Sequence, residues 1–237
     1  MDQKIVDLYD EYTHAPLSRR VFLRRLAVIT GSMTVALSLV PRLAANQALA
    51  GKVAPDNPGL SAMRLKYAGG EGEVQGYLAR PKEGNKLPAV IVIHENRGLN
   101  AHIEDVTRRL ALAGFLALAP DLLSSLGGTP TDEDKARELI GKLDPVKTVQ
   151  DLRATLAMLA KHEAGNGKVG AVGFCWGGGA VGDLAVTEPK LDAGVVYYGR
   201  QPKGEDVAKI KAPLLLHYAG LDTRIGEGIP AFEEALK

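Results

Sequence analysis

The chain has a single cysteine, no real excess of either charge, no internal repeat, and no apolar run long enough to cross a bilayer. One cysteine cannot close an internal disulfide and leaves a thiolate metal site without partners, so Cys175 is either a nucleophile or a small buried hydrophobe. A formal net charge of +1, with no basic stripe interleaved with aromatics, offers no electrostatic footprint for nucleic acid. Metal-ligand clusters, Walker loops and dinucleotide fingerprints are also missing from the sequence. Gly177-Gly178-Gly179 lacks the G-x-G-x-x-G spacing and the downstream ribose-binding acid. No cofactor and no metal are therefore expected.

The longest apolar stretch, Ala27 to Val40, has 14 residues and is interrupted by Gly31 and several hydroxyl side chains. As a helix it would extend about 21 Å, short of the roughly 30 Å hydrocarbon core, so no stable membrane span is expected. Ahead of it stands Ser18-Arg19-Arg20-Val21-Phe22-Leu23, and behind it a small-residue stretch ending Ala48-Leu49-Ala50. Paired arginines, an apolar run and small residues in that order read as a twin-arginine export signal. The sequence thus predicts a signal peptide over residues 1–50 cleaved after Ala50, the Tat export machinery as a partner, and a periplasmic or secreted bacterial location. The competing reading is an amphipathic or buried N-terminal helix, which would have to place Arg19, Arg20, Arg24 and Arg25 beside the apolar run. Removing the segment leaves 187 residues with 23 basic and 24 acidic side chains, so the small positive excess sits in the signal.

Residues 51–59 carry two prolines and little periodicity, a linker composition. Ala62 to Tyr67 and Val74 to Arg80, either side of Ala68-Gly69-Gly70-Glu71-Gly72, predict a β-hairpin. Ala89-Val90-Ile91-Val92-Ile93 is a continuous β-branched run, as in a strand buried on both faces of a parallel sheet, and chemistry is expected at its C-terminal end. Ile103, Val106, Leu110 and Ala113 recur at helical spacing and stop at Gly114. A second helical region, Thr131 to His162, should break at Asp144-Pro145. Strands at Phe115–Ala119, Lys168–Phe174, Ala193–Tyr198 and Pro213–Tyr218, with a helix at Trp176–Val186, complete the alternation. The fold predicted over residues 60–237 is α/β, a mostly parallel central sheet with helices on both faces. Residues 229–237 begin another helix, with no strand after it.

Gly173-Phe174-Cys175-Trp176-Gly177 lies where the Lys168 strand meets the next helix and has the form G-x-nucleophile-x-G. Such an elbow holds its nucleophile on a strained strand-to-helix turn, and its glycines keep side chains out of the close strand–helix contact. The helix dipole there favours thiolate over thiol, and the backbone N–H of Trp176 points at a developing oxyanion. The alternative is a packed cysteine in a glycine-rich turn.

Together with His94-Glu95-Asn96-Arg97-Gly98-Leu99-Asn100 and His217-Tyr218-Ala219-Gly220-Leu221-Asp222, this elbow resembles the dienelactone hydrolases (carboxymethylenebutenolidases), over roughly residues 60–237. The resemblance implies an α/β-hydrolase fold and a carboxylic ester hydrolase in which Cys175 attacks a small ester or lactone and forms a thioester. It also implies that Glu95 controls the resting thiol and that Asp222 is the acid of a Cys-His-Asp triad. Asn96 would supply the second oxyanion N–H, from the loop that serves this purpose in α/β-hydrolases. Against these stand a solvent-facing loop glutamate for Glu95 and an Asx-turn residue for Asp222. Arg97 and Arg200 have two readings each, a ligand for a substrate carboxylate or a surface charge.

In that family order the histidine follows the acid, yet none of the fifteen residues after Asp222 is a histidine. His14 would leave with the signal, His102 and His162 fall on helices facing solvent, His217 reads as a packed or hydrogen-bonded strand residue, and His94 shapes the oxyanion loop. The sequence therefore reads as an α/β-hydrolase lacking its last strand and helix, either a shortened version of a longer enzyme or a chain without the triad base. The second case should cost on the order of 10⁴-fold in turnover. Two further functions stay open at this point, a ligand-binding relative without turnover and a thiol redox or scavenging protein. The latter has no second cysteine to resolve an oxidised Cys175.

Overall fold

The computed structural model describes residues 2–14, 17–43 and 52–237. The chain forms two compact units, Met1–Lys52 and Val53–Lys237. The cleavage point expected after Ala50 lies outside the described residues.

The first unit consists of α1 (Gln3–His14), α2 (Arg19–Thr30) and α3 (Met33–Leu43). Ser18 caps α2, and Gly31, at φ 71°, ends it in the left-handed conformation that a glycine adopts without a Cβ clash. The apolar stretch is thereby divided between two helices set at 116° to each other, and among the described residues no single helix is long and apolar enough to cross a membrane. Ile5, Leu8, Tyr12, Leu17, Phe22, Leu26 and Ala36 form a buried cluster, with Tyr12 stacked on Phe22 at 4.3 Å between ring centres. Arg19 and Arg20 occupy the exposed first turn of α2, and Arg25 pairs with Glu11 at 2.8 Å.

The second unit is built on seven strands: β1 (Leu60–Ala68), β2 (Glu73–Pro81), β3 (Leu87–Ile93), β4 (Leu116–Asp121), β5 (Gly165–Phe174), β6 (Ala193–Tyr197) and β7 (Leu214–His217). Their order across the sheet is β1-β2-β4-β3-β5-β6-β7. The hairpin β1–β2 is antiparallel and meets β4 antiparallel, while β4, β3, β5, β6 and β7 run parallel. Between them lie α4 (Ala101–Leu112), α5 (Glu133–Ile140), α6 (Pro145–Ala160) and α7 (Trp176–Thr187), and after β7 come the short α8 (Thr223–Gly226) and α9 (Ile229–Ala235).

The two-residue period of β3 assigns the layers. Ala89, Ile91 and Ile93 share one cluster with Leu152, Leu156 and Leu159 of α6 and Val181, Leu184 and Ala185 of α7. Val90 and Val92 point the other way, into a cluster with Ile103 and Ala111 of α4. Burial on both faces explains the unbroken apolar run, and the fold is the α/β-hydrolase fold, with helices on both faces of a mostly parallel sheet. The long helical region divides where the carboxylates cap it: Asp132 accepts from Asp134 and Lys135 N–H, and Asp144 from Val146 and Lys147 N–H, with Pro145 opening α6.

Residues 53–59, of linker composition, are tied down. Val53 N–H donates to Asp105 at 2.7 Å and its carbonyl accepts from Arg108 Nε at 2.8 Å. Asp105 and Arg108 are buried on α4, and buried charges require such partners, which composition alone did not reveal.

Candidate active site

Cys175 joins β5 to α7 at φ 55°, ψ −118°, outside the region a non-glycine residue ordinarily adopts. Backbone bonds hold it there: Cys175 N–H donates to Tyr197 O of the neighbouring β6 at 2.9 Å, and Cys175 O accepts from Gly178 N–H at 3.0 Å. Its residue is 8% exposed. The glycines around it are demanded by distance. A Cβ at Gly173 would lie 2.1 Å from Gly177 O, one at Gly177 would lie 2.4 Å from His94 O, and one at Gly199 would lie 2.3 Å from the carbonyl carbon of Gly178. The head of α7 is thus packed backbone to backbone against the ends of β3 and β6. Trp176 is the first residue of α7, so helix geometry gives its N–H no acceptor within the helix.

The loop after β3 is held by side chains far away in sequence. His94 is fully buried and its ring stacks on Trp176 at 5.4 Å and 12°. Its Nδ1 lies 2.8 Å from Glu95 O, and its Nε2 accepts from Leu122 N–H at 3.2 Å. These partners fix the tautomer with the proton on Nδ1 and leave no lone pair for a substrate or thiol proton. Burial also pushes the imidazole pKa below its ordinary range. Next in the chain, Gly98 at φ 72° donates its N–H to Glu95 O at 3.3 Å, closing the turn that contains Asn96. Leu99 N–H donates to Thr129 Oγ1 at 2.8 Å, and Arg97 pairs with Glu133 of α5 at 2.8 Å.

Glu95 follows β3 and Tyr198 follows β6, with β5 between those strands in the sheet. The Tyr198 hydroxyl donates to Glu95 Oε1 at 2.8 Å, so the bridge passes the end of β5, where Cys175 stands. Tyr198 is itself one of three non-glycine residues at positive φ among those described, at 41°, and its N–H donates to His217 O at 2.8 Å. Sequence reading missed Tyr198; its only signal was the pair Tyr197-Tyr198 before Gly199 at a strand end.

The other expected site residues divide. Cys175, Trp176, Glu95 and Asn96 come together at the ends of β3 and β5. Asp222 caps the four-residue α8, accepting from Ile225 N–H at 3.0 Å. Arg200 pairs with Asp183 of α7, eight positions beyond Cys175 and so about 12 Å along the helix. That pair lines a cleft of about 480 Å³ among α6, α7 and residues 200–206, which none of residues 94–99, 175 or 176 lines. Burial raises the Asp183 carboxyl above its ordinary range, and Arg200 opposes this. Arg200 is thereby directed away from the elbow. The other histidines have other surroundings. His217 is exposed and stacks on Tyr197 at 4.5 Å, His162 Nδ1 accepts from Ala164 N–H at 3.1 Å, and both His102 and His162, expected to face solvent, are half-buried.

A buried, strained cysteine at the strand-to-helix turn of a mostly parallel sheet, beside the loop that follows the neighbouring strand, is the arrangement of an α/β-hydrolase. Residues 74–237 match the dienelactone hydrolase family, and the chain belongs to that family. Residues 1–31 match a second family described as YqhI-like. A protein of Methylorubrum extorquens provisionally named a carboxymethylenebutenolidase is 33% identical over 228 residues, covering 90% of this chain and 76% of its own. The hydrolase fragment YghX of Escherichia coli K12, also provisionally named, is 53% identical over 113 residues, 46% of this chain and 97% of its own. Among solved structures, a dienelactone hydrolase, provisionally so named, from Klebsiella pneumoniae superposes with TM-score 0.67 at 30% identity, covering 75% of this chain and 80% of that one. The dienelactone hydrolase-like promiscuous phosphotriesterase P91 from metagenomic libraries gives TM-score 0.65 at 26% identity, covering 75% and 78%.

Proposed function

We propose that the chain is a thiol-dependent carboxylic ester hydrolase acting on a small ester or lactone, an enol-lactone being the class to which its family points. The observation that carries this reading is the strained Cys175 at the head of α7, where the positive end of a 12-residue helix favours a negative sulfur. In the proposed reaction the Cys175 thiolate attacks the substrate carbonyl and a C–S bond forms. The resulting oxyanion is held by the N–H groups of Trp176 and Asn96. Collapse breaks the C–O bond and expels the leaving oxygen, which takes up a proton, and water then cleaves the thioester to release the acid and restore the thiol.

Glu95 is the group that takes the thiol proton when substrate arrives, its carboxylate steadied by the Tyr198 hydroxyl at 2.8 Å. Asp222 stands where the family places the acid of its triad, and His94, whose two nitrogens are engaged, is not its partner. Arg97, in the same turn as Asn96, is better placed than Arg200 for a substrate carboxylate. Hydrolysis of p-nitrophenyl acetate tests the reading. Cys175→Ala should reduce turnover by about 10³-fold or more, and turnover retained by that variant would remove Cys175 as nucleophile.

We propose as well that residues 1–50 are a twin-arginine signal and that the enzyme works in the periplasm or beyond. Support comes from Arg19 and Arg20 in the exposed first turn of α2, ahead of the apolar run. Replacing both arginines with lysine should leave the protein in the cytoplasm on cell fractionation; export that continues unchanged would contradict the assignment.

A further inference from the structure

Thr129 lies about thirty residues beyond the loop after β3, and its side chain ends against that loop. A Cβ at Gly98 would sit 2.2 Å from Thr129 Oγ1, so the turn and the hydroxyl occupy adjoining space with no room to spare. The hydroxyl accepts from Leu99 N–H at 2.8 Å and donates its one hydrogen to Asp121 Oδ1 at 2.8 Å. Asp121 is a buried carboxylate at the end of β4. It also accepts from Thr129 N–H at 2.8 Å and from Leu123 N–H at 3.1 Å. A carboxylate with this many donors holds a fixed orientation, and it allows the threonine hydroxyl only one, with a lone pair toward Leu99. The following residue, Leu122, carries the N–H that holds His94 at 3.2 Å, so the same end of β4 fixes both sides of the turn that contains Asn96.

We infer that Thr129 is a positioning residue for the oxyanion loop: its hydroxyl, oriented by Asp121, sets the turn that presents the Asn96 N–H to the reacting carbonyl. The inference rests on the proposed thiol hydrolase reading, since only an attack at a carbonyl develops the oxyanion that this loop would hold. Thr129 touches no reacting atom and acts through Gly98 and Leu99. An oxyanion donor is worth most when it is fixed before the reaction.

Two reactions of Cys175 separate positioning from general damage. Acetylation by p-nitrophenyl acetate forms a C–S bond at a carbonyl carbon, passes through an oxyanion and expels p-nitrophenolate. Alkylation by iodoacetamide forms a C–S bond at a methylene carbon, expels iodide and needs no oxyanion hole. Both are followed on the full chain, by p-nitrophenolate release and by the mass of the Cys175 peptide. Thr129→Val, which keeps the shape and removes both hydroxyl bonds, should slow acetylation about tenfold or more and leave alkylation within about twofold. Thr129→Ser should restore acetylation, and Thr129→Ala provides a second removal should the valine variant not fold.

Equal slowing of both reactions, or slowing of neither, would overturn the inference. If the unaltered chain alkylates but does not acetylate at Cys175, the hydrolase reading fails, and amide hydrogen exchange then decides the role of Thr129. Exchange at Asn96 to Leu99 faster in Thr129→Val than in Thr129→Ser upholds the control of the loop; equal exchange in the two variants refutes it.

Discussion

The loops after β3 and β7 each carry a candidate site residue, and they are built differently. After β3, Glu95 to Leu99 are bonded by Tyr198, Thr129 and Glu133, and His94 by Leu122. Every one of those partners is more than twenty residues distant in sequence. After β7, a four-residue edge strand, the turn relies on neighbours: Asp222 N–H donates to Ala219 O at 3.2 Å, and the Asp222 carboxylate caps its own short helix. Leu221 is 62% exposed. The part of the candidate site after β3 is therefore held by several distant side chains, while the part after β7 is held mainly by local bonds, with Gln201 Nε2 donating to Ile225 O at 3.0 Å as a tie from farther away. Regions of the second kind open at lower free energy than those of the first.

The largest effect expected from this contrast lies in its glycines. Gly173→Ala puts a Cβ 2.1 Å from Gly177 O, a backbone atom that cannot swing aside. The head of α7 would have to leave β5, at a cost of about 4 kcal/mol or more, the range of severe core disruption. In Gly220→Ala, by contrast, the Cβ meets no atom within 4 Å, and Gly220 is not at positive φ. That variant should be neutral or more stable by about 0.5 kcal/mol, because alanine narrows the unfolded ensemble. Urea denaturation of the two variants tests the comparison, and similar losses in both would mean that the β7 loop is as tightly packed as the head of α7.

Much of this was legible in the sequence where the information is local. The β-branched run of β3, the G-x-C-x-G turn and the helix break at Asp144-Pro145 each depend on a few adjacent residues, and each appears where its pattern stood. Long-range hydrogen bonds were not legible. Nothing about Thr129 in a Gly-Gly-Thr-Pro turn says that its hydroxyl meets Leu99, and Tyr198 is an ordinary strand-end tyrosine until β3 and β6 are known to flank β5. The same blindness affected the charges. Arg97 and Arg200 were equivalent as sequence, yet one lies in the braced turn beside Asn96 and the other is drawn to Asp183. The composition of residues 51–59 likewise gave no sign of the buried Asp105 and Arg108, some fifty residues away, that bind Val53.

A smaller, pH-dependent effect should belong to the braced half through His94. Its imidazole is held neutral in the fold, with a pKa lowered chiefly by burial, whereas in the unfolded chain it titrates near the ordinary value of 6.5. As pH falls below 6.5 the unfolded state takes up a proton that the folded state does not. The sign follows from linkage: stability rises with pH wherever the unfolded state binds more protons. The contribution of His94 is thus fully present above pH 6.5 and is lost as pH falls, by up to about 1.4 kcal/mol per pH unit until the lowered folded pKa is reached. His94→Gln removes this titration, so its stability, although lower at pH 7.5, should fall less steeply between pH 7 and pH 5 than that of the unaltered chain. Chemical denaturation across that range gives both slopes. Parallel slopes would mean that His94 can accept a proton inside the fold, and with it the exclusion of His94 as a base would fail.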